Sequence, residues 1–131
     1  MTSEIYNSQY GKVEYMEKDS AILLTWKKKC SYDDYRNTTL AALTGLKQHH
    51  QSNLIIDARK GFEDEPDDVQ WAFQVLLPSM SETSCKTVVF IMNTTNDIEE
   101  EMDMWTKEFM KYFKVARVDS YEKAIAALST D

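Results

Sequence analysis

The sequence predicts an α/β fold, a mixed sheet of about five strands flanked by four helices, and three observations carry that expectation. Three short segments, Ala21 to Trp26, Leu54 to Ala58 and Thr87 to Met92, are apolar almost throughout, as strands buried on both faces are. Segments with helical periodicity separate them. That alternation implies a parallel portion joined by right-handed crossovers.

Taken in order, Val13 to Lys18 alternates around Val13 and Tyr15, Lys18, Asp19 and Ser20 make a polar turn, and Ala21 to Trp26 returns as the better buried arm of a hairpin. Ile5 and Tyr6 add a short edge strand. Ser31 opens the first helix with Asp34 three residues on, a variant of the capping box, and Leu40, Leu43 and Leu46 give it an apolar stripe to about His50. After the strand from Leu54 to Ala58, Pro66 suits the first position of a second helix that runs to about Pro78. Thr87 to Met92 is a central strand. From Asn96 a third helix carries Ile98, Met102, Trp105, Phe109 and Phe113 on one stripe. Val115 to Val118 is the last strand, and Asp119 with Glu122 frames a terminal helix bearing Ala124, Ile125 and Leu128.

At 131 residues the chain fits one domain, and its 43% hydrophobic content supports a core. A formal charge of −7 repels phosphate backbones and anionic head groups, which argues against a nucleic-acid partner. The opening MTSEIYNSQYGK has no apolar core behind a basic flank, and no run of about eighteen apolar residues follows, so no membrane span is expected and the reading is cytoplasmic. Cys30 and Cys85 lack CxxC spacing, which suits a reducing compartment and supplies no metal framework. With Gly11, Gly45 and Gly61 the only glycines, neither a phosphate loop nor a GxSxG elbow can be built. The expectation is a protein that is not an enzyme and takes no cofactor or metal.

Two acidic runs, Glu63, Asp64, Glu65, Asp67 and Asp68, then Asp97, Glu99, Glu100, Glu101 and Asp103, sit at expected helix N-termini and read as solvated carboxylates meeting the helix dipole. His49 and His50 fall at a helix C-terminus, where imidazolium is favourable without any function. Gly45 inside the first helix costs about 1 kcal/mol against alanine and suggests close packing or a neutral accident. On the second helix Val69, Ala72, Phe73, Leu76 and Met80 form one stripe, with Trp71, Val75 and Pro78 roughly opposite. Trp71 must then be covered by a neighbouring helix or by a partner, the simplest being a second copy in a homodimer through Trp71, Val75 and Pro78.

The segment NLIIDARKGFEDEP, residues 53–66, turns from an apolar strand into an acidic helix start, a corner where α/β folds usually dock ligands and partners. Asp57, Arg59, Lys60, Gly61 and Phe62 are the expected docking residues, with Trp71 beside them. Alternatively Asp57 caps the corner and Arg59 pairs with nearby acids.

The strand ending in Trp26, the helix through Leu40 and Leu43 to His49, the LIIDAR segment from Leu54 to Arg59, Trp71 and Pro78, the VVFIM strand and the closing YEKAIAAL together resemble the SpoIIAA-like family grouped with STAS and SEC14 domains. The resemblance implies a STAS-like fold in a small cytoplasmic bacterial module. Anti-sigma-factor antagonists of that fold carry a phosphorylatable serine after the equivalent strand, whereas the turn here reads Asp57, Ala58, Arg59, Lys60, Gly61. The expected function is therefore a non-enzymatic protein-interaction or regulatory module without a serine switch. The alternative is a SEC14-like carrier of a small apolar or amphipathic ligand beside Trp71, Trp105, Phe109 and Phe113.

Overall fold

A computed structural model describes residues 2–93 and 98–129. Six strands form one mixed sheet in chain order: β1 (Thr2–Asn7), β2 (Gly11–Met16), β3 (Ala21–Trp26), β4 (Asn53–Asp57), β5 (Thr87–Ile91) and β6 (Lys114–Val118). β1, β2 and β3 are antiparallel neighbours, and β3 through β6 run parallel. The mixed α/β sheet is as expected, with the Ile5 and Tyr6 segment forming a full sixth strand. A register shift between Glu4 and Tyr6 breaks the alternation of β1, which weakens its sequence signal.

The helices are α1 (Tyr32–Gln48), α2 (Pro66–Trp71), α3 (Leu77–Ser81), α4 (Glu99–Phe109) and α5 (Tyr121–Leu128). A π-helical stretch, Ala72–Leu76, joins α2 to α3, so these segments act as one of four helical rods. With strands in sequential order, right-handed crossovers place their helices on one side of the sheet. Thus α1, the α2–α3 rod and α4 share one core with Ile22, Leu24, Leu54, Val88 and Phe90, while α5 packs on the other face against Ala21, Ile55, Val89 and Ile91.

Two helix ends differ from the sequence expectation. The second rod passes Pro78 and ends at Ser81. Its π-helical stretch has the Leu77 N–H donating to the Ala72 carbonyl, and this wider register accommodates a proline that lacks an N–H and crowds the preceding turn. At α1, the Ser31 side chain makes no capping bond. The Tyr32 N–H instead donates to Asp68 Oδ2 at 2.8 Å, across from α2. Tyr32 has φ 52°, a left-handed geometry uncommon for a bulky residue, and this contact holds it there.

On α4 Met102, Trp105 and Phe109 are buried as read and Ile98 packs against them; Phe113 is also buried but lies past the end of the helix at Phe109, and Asn96 and Asp97 lie outside the described residues. At Gly45 a Cβ would meet Ile22 Cδ1 and Ile5 Cδ1 at 2.9 Å, so close packing of α1 on the sheet explains the glycine. His49 stacks on Tyr15 with ring centroids 3.6 Å apart.

Candidate functional site

The expected docking residues do not converge on one surface. Strand alternation puts Asp57 on the same side as Ile55, toward α5. There its carboxylate holds Arg59 twice through the side chain, Nε to Oδ1 at 3.0 Å and Nη2 to Oδ2 at 2.7 Å, and once through the Arg59 N–H at 3.1 Å. That hydrogen bonding and the Asp57 charge, with a smaller pull from Glu122 of α5, raise the Arg59 guanidinium further above its ordinary value. The alternative reading of the corner, a capping Asp57 with a paired Arg59, is what the geometry contains.

Gly61 and Phe62 face the opposite side. A Cβ on Gly61 would approach the Ala58 carbonyl at 2.8 Å and Ile98 Cδ1 at 2.9 Å, so this position needs the smallest residue for close approach. Phe62 packs edge-on against Trp26 with centroids 5.4 Å apart. Lys60 is exposed. Trp71 is half-buried, and the Arg36 guanidinium of α1 lies 5.3 Å from its ring centroid. Part of the cover of Trp71 thus comes from within the chain, while Val75 is 47% exposed.

Beneath the corner a partly open cavity of about 60 Å³ lies between the sheet and the helices above it. Its walls are mostly apolar, with Trp26, Phe62, Leu76, Phe90, Trp105 and Phe109 contributing the bulk. The π-helical stretch delivers Leu76 to this wall, and such stretches recur at functional sites.

The carboxyls on the wall, Asp64 and Glu101, come from runs read in the sequence as solvated. Glu101 Oε2 accepts the Trp105 Nε1–H at 2.8 Å and the Asp64 N–H at 3.2 Å. The Tyr35 hydroxyl hydrogen-bonds the Asp64 carboxyl. Burial first, and then the Glu101 charge, push the Asp64 carboxyl up to about 8, against the opposing Tyr35 bond. Burial likewise raises the Tyr35 hydroxyl well above its ordinary range, reinforced by Asp64. Burial and the Glu101 charge thus favour the protonated form of Asp64, and a corner of this kind can either hold a cation or exchange a proton.

The acidic runs are consequently not uniform solvated caps. Asp68 is fully buried, accepting from the Arg36 Nε at 3.1 Å as well as from Tyr32. A sequence signal existed for Glu101: it stands three residues after Ile98 and four before Trp105, inside the apolar stripe of α4 rather than opposite it.

Cys30 and Cys85 are both buried, and burial above all pushes each thiol up to about 12. Protonated thiols of this kind are poor nucleophiles. Among the described residues no three His, Cys, Asp or Glu side chains are grouped as a metal ion would require, and no helix is long and apolar enough to cross a membrane. Comparison with family models, with curated proteins and with solved structures found no match.

Proposed function

We propose that this protein is a non-enzymatic binding module whose ligand occupies the cavity beneath the corner. The observation that carries the reading is a partly open aromatic cavity with two carboxyls and an indole N–H on its wall, the pattern of a small-molecule site. At about 10 to 15 Å³ per water-sized position, the space suits a ligand of about four to six non-hydrogen atoms. This is the carrier alternative in a restricted form, since a long lipid chain does not fit. Trp26 and Trp105 line the cavity, so occupation should change tryptophan emission. In a ligand-observed NMR screen, fragments of this size should bind wild-type protein and lose binding in Ile56→Phe, which fills the space. Absence of any binder, or binding indifferent to the filled cavity, would refute the reading.

A second reading, protein docking at the corner, is favoured by Arg59. Asp57 fixes its guanidinium in place while 44% of the side chain stays exposed beside Lys60, a pre-organised basic group suited to an acidic partner. This reading fits the resemblance to SpoIIAA-like modules of the bacterial cytoplasm. Arg59→Glu should then abolish any capture that the wild type achieves. Self-association through Trp71, Val75 and Pro78 has less support, because Arg36 already shelters the indole.

A further inference from the structure

Carboxylates that this fold withdraws from water have a guanidinium beside them at two places: Asp57 with Arg59 at 2.7 Å, and Asp68 with Arg36 at 3.1 Å. The Asp64 and Glu101 pair on the cavity wall differs. Among the described residues no lysine, arginine or histidine forms a salt bridge with either, and Lys29 exerts only the last of the pulls on Asp64. Their partners are neutral donors: the Trp105 indole, the Asp64 N–H and the Tyr35 hydroxyl. Two like-charged groups in one half-buried site are costly unless a proton or a cation accompanies them.

From this geometry we infer that the ligand of the cavity is a small primary alkylammonium ion, its N–H groups on Asp64 and Glu101 and its alkyl part among Trp26, Phe62 and Trp105. The inference rests on the cavity being the binding site. An ammonium carries three donors and no acceptor, which matches a wall whose free polar capacity is carboxylate oxygen. A quaternary ammonium has no N–H to offer these oxygens, and an anion meets like charge. The apolar lining suits a short chain, and aromatic rings around a cation add attraction.

Binding is coupled to a proton. Asp64 faces Glu101 from α4, Tyr35 from α1, Asp68 from α2, and Lys29 and Cys30 from the segment before α1. In the inferred complex the Asp64 carboxyl gives up its H⁺ to solvent as the cation enters, leaving a carboxylate and ammonium pair. Affinity should therefore rise about tenfold per pH unit below about 8 and level off above it, until the amine itself deprotonates.

The test titrates the full chain with n-propylammonium chloride and, in parallel, with uncharged 1-propanol of equal size at pH 6.5, 7.5 and 8.5, read by calorimetry and ligand-observed NMR. The amine should bind at least about tenfold tighter than the alcohol at pH 8.5, and should gain affinity with pH. Asp64→Asn and Glu101→Gln should each erase that preference, weakening the amine far more than the alcohol. Should a variant fail to fold, the wild-type pH series decides alone. Alcohol binding equal to or tighter than amine binding overturns the amine while the cavity reading stands. If neither compound binds, the amine inference falls and the fragment screen decides the cavity reading.

Discussion

Asp68 stands in the first turn of α2, yet the helix it caps is α1: its Oδ2 accepts the Tyr32 N–H at 2.8 Å and its Oδ1 the Arg36 Nε at 3.1 Å. One carboxylate, 0% exposed, thereby ties two helices of the same layer together. Arg36 in turn covers Trp71, so a chain of contacts runs from Asp68 through Arg36 to the indole.

Removing that carboxylate should be among the most damaging single changes in the molecule. Asp68→Ala leaves the Tyr32 N–H and a part-exposed guanidinium without their acceptor, at a cost of roughly 1 to 3 kcal/mol. Asp68→Asn keeps an acceptor for Tyr32 and should cost distinctly less. Denaturant unfolding measures both, and an alanine variant within about 0.5 kcal/mol of wild type, the range of an ordinary surface change, would show that water replaces the cap.

Asp57 and Arg59 should behave as one unit. Arg59→Ala strands a carboxylate whose side chain is only 12% exposed, whereas Asp57→Ala releases a guanidinium that can turn to solvent. The double variant should therefore lose less stability than the two single variants added, with a coupling on the order of 1 kcal/mol. Additive losses in a double-mutant cycle would mean that the pair is not coupled in solution.

Much of the sheet was legible because burial on both faces leaves a plain mark: Leu54 to Ala58 and Thr87 to Met92 match the structural strands to within a residue. Pro78 misled the reading of the second helix because a change of helical hydrogen-bond register has no signature in periodicity. The corner residues were placed correctly at a strand end, but the side of the sheet each faces depends on topology. Asp64 and Glu101 meet across 37 residues, and each stands at a helix N-terminus where the dipole alone explains a carboxylate. What the sequence did hold was the position of Glu101 on the apolar stripe of α4, and of Asp68 four residues before Ala72 on that of α2.

Both thiols should resist modification while the protein is folded. Cys30 and Cys85 are buried and raised to about 12, so at pH 8 almost no thiolate is present to react. A disulfide-exchange reagent should label neither within minutes under native conditions and both in denaturant. Fast labelling of Cys30 in native protein would show that the segment before α1 opens readily.

Asp64 should make the unliganded protein less stable as the medium becomes alkaline. Its carboxyl is raised from an ordinary 3.8 to about 8, so between those values the folded state binds more protons than the unfolded state. The corresponding stability is fully present below about pH 4 and is lost as pH climbs through about 8. The cause is burial beside Glu101, and the neighbours that face the group are Tyr35, Asp68 and Lys29. Asp64→Asn keeps a neutral hydrogen-bonding side chain at every pH and should flatten this slope. Relative to wild type, the variant should gain on the order of 1 to 3 kcal/mol between pH 5 and pH 9, as measured by urea unfolding at each pH. Parallel pH profiles for the two proteins would place the Asp64 carboxyl in water with an ordinary acidity, and would remove the cavity's proton.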